Sequence, residues 1–379
     1  MNRKTFLILL GMLLVLGGAG LALFWQDLGV WRSGGGGKIG YKPFAKLPAN
    51  EVAQIRLFDG RNETTLVLKD SRWVVKQRGD YNASVQEIGD LLVKLPDLKV
   101  VQTENVGASL LPRLNLVAPA ADAKADAKIE GAGTQLELSD KGGKPLGSML
   151  LGKIVVKKEP SPLPIQQETP VGRYVLVPNT PNVLVMSDAL KNAGAKPATW
   201  LAKDFFKADR IKSLAASGDG APWKIARKEE YDPWKFADGG GELDPSKAVA
   251  AVNALTALTF TDVAFDVKPE NLDQPRTFVA DTYDNLVYTI RAAKKPGSED
   301  YYLTVAVSGE PSRVRTAEAN EKAADKERLD KQFADTLKKL DDRIKLEKGF
   351  AGWVYVVAGK TLDPLFKTRG DLVAPARKK

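Results

Sequence analysis

Between residues 51 and 357 the chain runs twice through one order of segments, and this recurrence constrains the fold more than any other feature of the sequence. In the first pass, strand-like EVAQIRLF (51–58) and TTLVLK (64–69) precede SRWVVK with Trp73 at its centre, and a helix and the strand LKVVQT (98–103) follow. In the second, RIKSLAAS (210–217) precedes APWKIA with Trp223 in the matching place, then a helix and TFTDVAF (259–265). The correspondence continues as TQLELSD (134–140) with RTFVAD (276–281), LGSMLLG (146–152) with LVYTIRA (286–292), and GRYVLV (172–177) with GWVYVV (352–357).

The helix in each pass carries its own start signal. Ser84 and Glu87 have the spacing of a capping box, and the helix they open would place Val85, Ile88, Leu91, Leu92 and Leu95 on one face. Asp244 followed by Pro245 is an N-cap with proline at the first helical position, and Val249, Val252, Leu255 and Leu258 would line the buried face. One amphipathic helix among several short strands predicts an α+β fold, two tandem and duplicated units of largely antiparallel sheet with a packed helix each. The expected boundaries are a cytoplasmic tip and anchor at 1–31, a Gly-rich tether at 32–46, a first unit at 47–200 and a second at 201–379.

The anchor is read from residues 5–25, TFLILLGMLLVLGGAGLALFW, a run of 21 uncharged residues. As a helix rising about 1.5 Å per residue, it spans a hydrocarbon core of about 30 Å. Arg3 and Lys4 before it keep the N-terminus in the cytoplasm, and everything after Trp31 is exported. Trp25 and Trp31 read as lipid-interface residues. A cleaved signal peptide is the competing reading, since Phe6 to Leu16 is a fair apolar region and Gly20-Leu21-Ala22 a small-x-small site. The apolar run continues through Leu23, Phe24 and Trp25, which favours an uncleaved anchor.

Composition then removes whole classes of chemistry. With no His and no Cys, the chain cannot build a Ser-His-Asp triad, a cysteine nucleophile, a His- or Cys-ligated metal, or a disulfide. No phosphate-binding glycine loop or nucleophile elbow is present, so no catalytic, cofactor-binding or metal-ligating residue is assigned and no cofactor is expected. The net charge of +9 is spread along the chain among acids, and an exported protein meets little nucleic acid, so none is expected as a partner.

The second pass departs from the plan in two inserts. About ten residues are added around YDPWKFADGGGE, where Tyr231, Trp234 and Phe236 form a candidate partner contact; alternatively Trp234 folds back on its own domain. Residues 317–348 form a helical insert in which Leu329, Phe333, Leu337, Leu340 and Ile344 make one apolar stripe on a charged rod. Its C-terminal half is expected to pack on the domain, leaving the N-terminal half free. Residues 118–133 read as a solvated Ala/Asp/Lys loop and 157–170 as a stiff Pro-rich connection.

The anchor, the Trp-loop-helix stretch SRWVVKQRGDYNASVQEIGDLLVKLPDLKVV and the strand-rich remainder resemble a family of uncharacterised bacterial membrane-anchored proteins. Those proteins carry a repeated domain of unknown function and are often encoded beside gliding-motility-type ABC transporter genes. The resemblance covers most of residues 50–310; the second copy departs from it in lacking a counterpart of TTLVLK and in carrying the long helix. It implies a single-pass protein of the bacterial inner membrane with its bulk in the periplasm. The implied role is a non-enzymatic accessory or scaffold of a membrane complex, with ABC transporter components as the partners. An exported glycan- or peptide-binding module and a carboxylate-based hydrolase are the alternatives.

Overall fold

The structure is a computed structural model that describes residues 38–120, 129–159, 167–218, 220–317 and 321–375. The span at 5–25, with Trp25 and Trp31, lies outside them, and among the described residues no helix is long and apolar enough to cross a membrane. The chain divides between Trp200 and Leu201 into two compact units, each built on one large antiparallel sheet with few helices.

The first unit contains β1 (Gln54–Phe58), β2 (Glu63–Lys69), β3 (Arg72–Val75), β4 (Tyr81–Asn82), α1 (Val85–Asp97), β5 (Val100–Glu104), β6 (Thr134–Ser139), β7 (Pro145–Glu159), β8 (Gln167–Leu176) and β9 (Val183–Met186), in the spatial order β4-β3-β2-β1-β6-β7-β8-β9-β5. The second contains β10 (Ile211–Gly218), β11 (Trp223–Ala226), β12 (Lys235–Phe236), α2 (Pro245–Thr256), β13 (Asp262–Val263), β14 (Arg276–Thr282), β15 (Leu286–Lys294), β16 (Tyr301–Gly309), α3 (Ala323–Lys348) and β17 (Tyr355–Val357), ordered β12-β11-β10-β14-β15-β16-β17-β13. From β1 to β5 and from β10 to β13 the two orders are superimposable strand for strand.

The cause lies in the patterning. Strand β14 alternates buried and half-buried along its whole length, as a sheet with one covered face requires. Both helices start where the caps dictate: Ser84 Oγ accepts from the Glu87 N–H at 3.3 Å, and an Asp244 carboxylate oxygen accepts from the Ser246 N–H at 2.9 Å. The capping box at Ser84 is only half made, because the Ser84 N–H donates instead to the Trp200 carbonyl at 2.7 Å. The Asp244 N–H donates likewise to the Leu372 carbonyl at 2.9 Å. In both units, then, the segment after the ninth or seventeenth strand returns to close the helix cap.

Space corrects three sequence assignments. GRYVLV belongs to β8, whose place between its neighbours is taken in the second unit by β16, while the strand of GWVYVV occupies the place of β9. The two Trp residues are not equivalent either. Lacking a counterpart of TTLVLK, the second unit sets β11 directly against β10, where Trp223 faces Ala216 and is 3% exposed. Trp73 lies one strand further out, opposite the exposed Leu68, and is only half-buried. The helix faces also shift: Val85 and Val249 point to solvent, and α2 buries Ala248, Ala251, Val252 and Leu255.

The two sheets differ most at one hairpin. Strand β15 ends two residues past its last pair with β14, Ala292 with Arg276. Strand β7 runs eight residues past its last pair with β6, Leu151 with Thr134, and β8 leaves β9 at Arg173, opposite Ile154, so a two-stranded ribbon overshoots the sheet by five residues of β7, about 17 Å. Its edge is blunted by Pro170, which has no N–H, and by Val171, bulged out between the pairs of Gly172 and Pro170.

Candidate functional site

In the first unit, a groove of about 450 Å³ lies between α1, the foot of the ribbon and the segment that follows β9. Its floor is apolar: Leu91, Ala189, Leu190, Ala193 and Trp200 are all buried. Polar and charged groups from both walls face one another over that floor. Asn192 Nδ2 donates to Glu87 Oε2 at 2.7 Å, and Lys94 Nζ lies 3.6 Å from Asp188 Oδ2.

The wall after β9 is held in an uncommon conformation. Leu190 has φ +42°, in the left-handed region, which a branched side chain rarely adopts. Two contacts fix it: its N–H donates to Asp188 Oδ1 at 2.7 Å, and its carbonyl accepts from Arg173 Nη1 at 3.1 Å. Arg173 also donates from Nε to the Gly152 carbonyl at 2.8 Å, and burial pulls its guanidinium down to about 10. Gly172 is required beside it, since a Cβ there would meet the Met186 carbonyl oxygen at 2.5 Å.

Aligning the two helices at their caps shows what distinguishes the units. Asp90, Leu91 and Lys94 fall on the same turns as Ala250, Ala251 and Ala254, and Ala251 and Ala254 are buried. The second helix therefore buries small side chains at two of these places, where the first buries Leu91 and leaves Lys94 exposed at the rim of the groove. An apolar floor with a mixed-charge rim can grip a ligand or a partner segment.

The second unit holds the residues assigned from the sequence as a partner contact, and it separates them. Tyr231 is 95% exposed, Trp234 is half-buried with the Arg227 guanidinium 4.7 Å from its ring centre, and Phe236 is 4% exposed. Phe236 is a core residue of β12 covered by Arg369 at 4.1 Å, so it is withdrawn from any surface patch. Its alternation with exposed Lys235 in a two-residue strand was too short a period to read.

The long helix meets its sheet through the predicted stripe: Ile344 is buried, and Leu329, Phe333, Leu337 and Leu340 are half-buried. The expectation of a free N-terminal half is corrected. Arg315, before the insert, pairs with Glu321 and, at 2.7 Å, with Asp330, which ties that half to the chain leaving β16; Arg313 Nη1 lies 2.7 Å from Asp341 of the C-terminal half. At the C-terminal end, Glu347 is 2% exposed and accepts from the Tyr288 hydroxyl at 2.7 Å and the Lys207 N–H at 3.1 Å. Burial, then the Glu347 hydrogen bond, pushes the Tyr288 hydroxyl far above its ordinary value. A buried carboxylate among the many charged residues of this helix leaves no sequence signal; Tyr288, buried in an alternating strand and needing a partner for its hydroxyl, was the available hint.

A second polar clamp fixes the C-terminal segment. Arg276, 4% exposed, donates to the Phe366, Ala221 and Lys367 carbonyls, and Trp223 Nε1 donates to the Lys367 carbonyl at 2.9 Å. Among the described residues no group of His, Cys, Asp and Glu is arranged to hold a metal ion.

A family model described as a domain of unknown function (DUF4340) matches residues 73–275, from β3 of the first unit to the residue before β14 of the second. No curated protein and no solved structure matches the chain.

Proposed function

This chain belongs to the family of the domain of unknown function DUF4340, and from that premise we propose that it is a non-enzymatic accessory or scaffold protein of a membrane complex. It is anchored in the bacterial inner membrane by residues 5–25, with its N-terminus in the cytoplasm and its two units, arisen by duplication, outside it. ABC transporter components are the proposed partners. The observation that carries this reading is where the buried polar groups go. Thr64, Thr65, Ser213, Arg276, Thr282 and Glu347 each hydrogen-bond within their own unit, Glu347 and Arg276 through several bonds apiece. These groups stabilise the fold, and the groove of the first unit offers recognition chemistry in place of a reacting group.

The test is site-directed crosslinking in the native membrane. A photoreactive residue at Asp90 or Val171 in the groove, or at exposed Tyr231, should capture one and the same set of integral membrane proteins, and exchange of Asp90 and Lys191 for opposite charges should abolish capture from the groove. Chemical turnover of a substrate by the purified chain, lost on changing the groove carboxylates, would overturn the reading in favour of a hydrolase. Capture of soluble glycan or peptide alone would favour a binding module.

A further inference from the structure

We propose that the edge of the first sheet at β5, together with the chain that enters beside it, is a second membrane contact that lays the first unit against an anionic bilayer. The proposal rests on the membrane-anchor reading above, which supplies the bilayer. Residues 40 and 41 are hydrogen-bonded to β5: the Gly40 N–H donates to the Val100 carbonyl at 2.7 Å and the Val100 N–H to the Tyr41 carbonyl at 2.9 Å. This places Ile39 and Tyr41 beside Val101, which is pushed outward by a register shift between Val100 and Gln102.

All three are exposed, Ile39 by 61%, Tyr41 by 41% and Val101 by 46%. Val93, 72% exposed, lies one helical turn before Asp97, and Asp97 is bound by Lys42 Nζ at 2.8 Å, which brings that turn of α1 to the same corner. Lys38 and Lys99 are exposed around the patch; of the acids on the same elements, Asp97 is paired with Lys42, Asp90 lies exposed one helical turn before Val93, and Glu104 lies at the far end of the strand. Apolar and aromatic side chains ringed by lysines are the composition of surfaces that settle into an anionic interface.

Chain length supplies the occupant. Thirteen peptide steps separate Trp25, the last residue of the apolar run, from Lys38, and even fully extended they reach only about 43–47 Å. The corner carrying Ile39 and Tyr41 is therefore where the unit is tethered, within that reach of the end of the span. The opposite side of the sheet, at β2, lies six strand spacings away, about 29 Å across the sheet.

Because the chain has no cysteine, any introduced thiol is unique. Full-length Ile39→Cys, Val101→Cys and Ser71→Cys chains, the last in the β2–β3 turn, would each carry an environment-sensitive fluorophore. They would be reconstituted into vesicles of phosphatidylethanolamine and phosphatidylglycerol with brominated acyl chains. Labels at 39 and 101 should be quenched severalfold more than the label at 71, and Lys38→Glu with Lys99→Glu should remove most of that difference. Chains that float with the vesicles after alkaline washing but show equal quenching at the three sites would overturn the patch and leave the anchor standing. Chains that do not float would overturn the anchor, and the patch with it.

Discussion

Replacing Trp223 and Trp73 by Ala in separate variants measures how far the missing strand changes the second unit. Trp223 is 3% exposed, pairs with Ala216 across β10, and donates from Nε1 to the Lys367 carbonyl. Its removal opens a large cavity, for which about 3–5 kcal/mol is expected. The carbonyl itself keeps a donor, since Arg276 Nη2 lies 3.2 Å from it, so the cost should not rise beyond that range. Trp73 is half-buried against the exposed Leu68, and its removal should cost about 1–2 kcal/mol. In a domain of this size 1 kcal/mol shifts the melting temperature by about 2–4 °C, so Trp223→Ala should lower it by about 6–20 °C and Trp73→Ala by about 2–8 °C. Circular-dichroism melts, supported by urea titrations in which the two units are followed as separate transitions, give both numbers. Equal costs at the two sites, or a larger one at Trp73, would refute the argument that β11, set directly against β10, is a core strand while β3 is not.

Four further outcomes are expected. Glu347→Ala strands the Tyr288 hydroxyl and the Lys207 N–H without an acceptor, while Arg343 keeps Asp209, and should destabilise the second unit by about 2–4 kcal/mol in chemical denaturation, whereas a cost under about 1 kcal/mol would deny the network any structural role. Ser84→Ala removes a cap and should cost about 1 kcal/mol, visible as a shifted urea midpoint with unchanged slope. The Arg56 hydrogen bond holds Glu63 below its ordinary range, so this pair stabilises the fold fully above about pH 4.5 and loses its contribution as pH falls through the lowered value. Glu63→Gln should therefore flatten the decline in stability between about pH 5 and 3, and an unchanged acid limb would contradict it. Arg315→Met should raise amide exchange in the first turns of α3 while leaving β15 and β16 protected, and uniform protection would show that the ion pairs are idle.

The local grammar of the chain was legible wherever the signal was covalently close. Ser84 and Asp244 cap the helices they precede, because a side-chain oxygen needs only a neighbour two or three residues on. The stripe from Leu329 to Ile344 faces the protein, and the α+β class followed from capped helices set among alternating strands. Residues 5–25, the first part of the tether at 32–37 and the Pro-rich tip at 160–166 lie outside the described residues, and the expectations placed on the first of these stand as proposals. The rest of the expected tether, 38–46, is instead held on the first unit, because Gly40 and Tyr41 hydrogen-bond to Val100 and Phe44 is buried.

What the sequence could not supply is which elements become neighbours. Tyr301–Gly309 takes the central place that similarity alone gave to GWVYVV, because strand order is settled by pairing in space, where a short hairpin and a complete ladder outweigh a shared Gly-aromatic pair. Val85 and Val249 face solvent because the direction from which the sheet covers a helix, and not its apolar count, fixes the buried side. The groove, the Arg276 clamp and the buried Glu347 all join residues more than fifty positions apart. The groove and the clamp arise as each return segment closes over its own unit, and Glu347 is buried where the end of α3 packs against Tyr288 of β15. A one-dimensional pattern can mark where a helix starts and how a strand alternates, but the burial of a carboxylate or the opening of a groove depends on side chains that only the folded chain brings together.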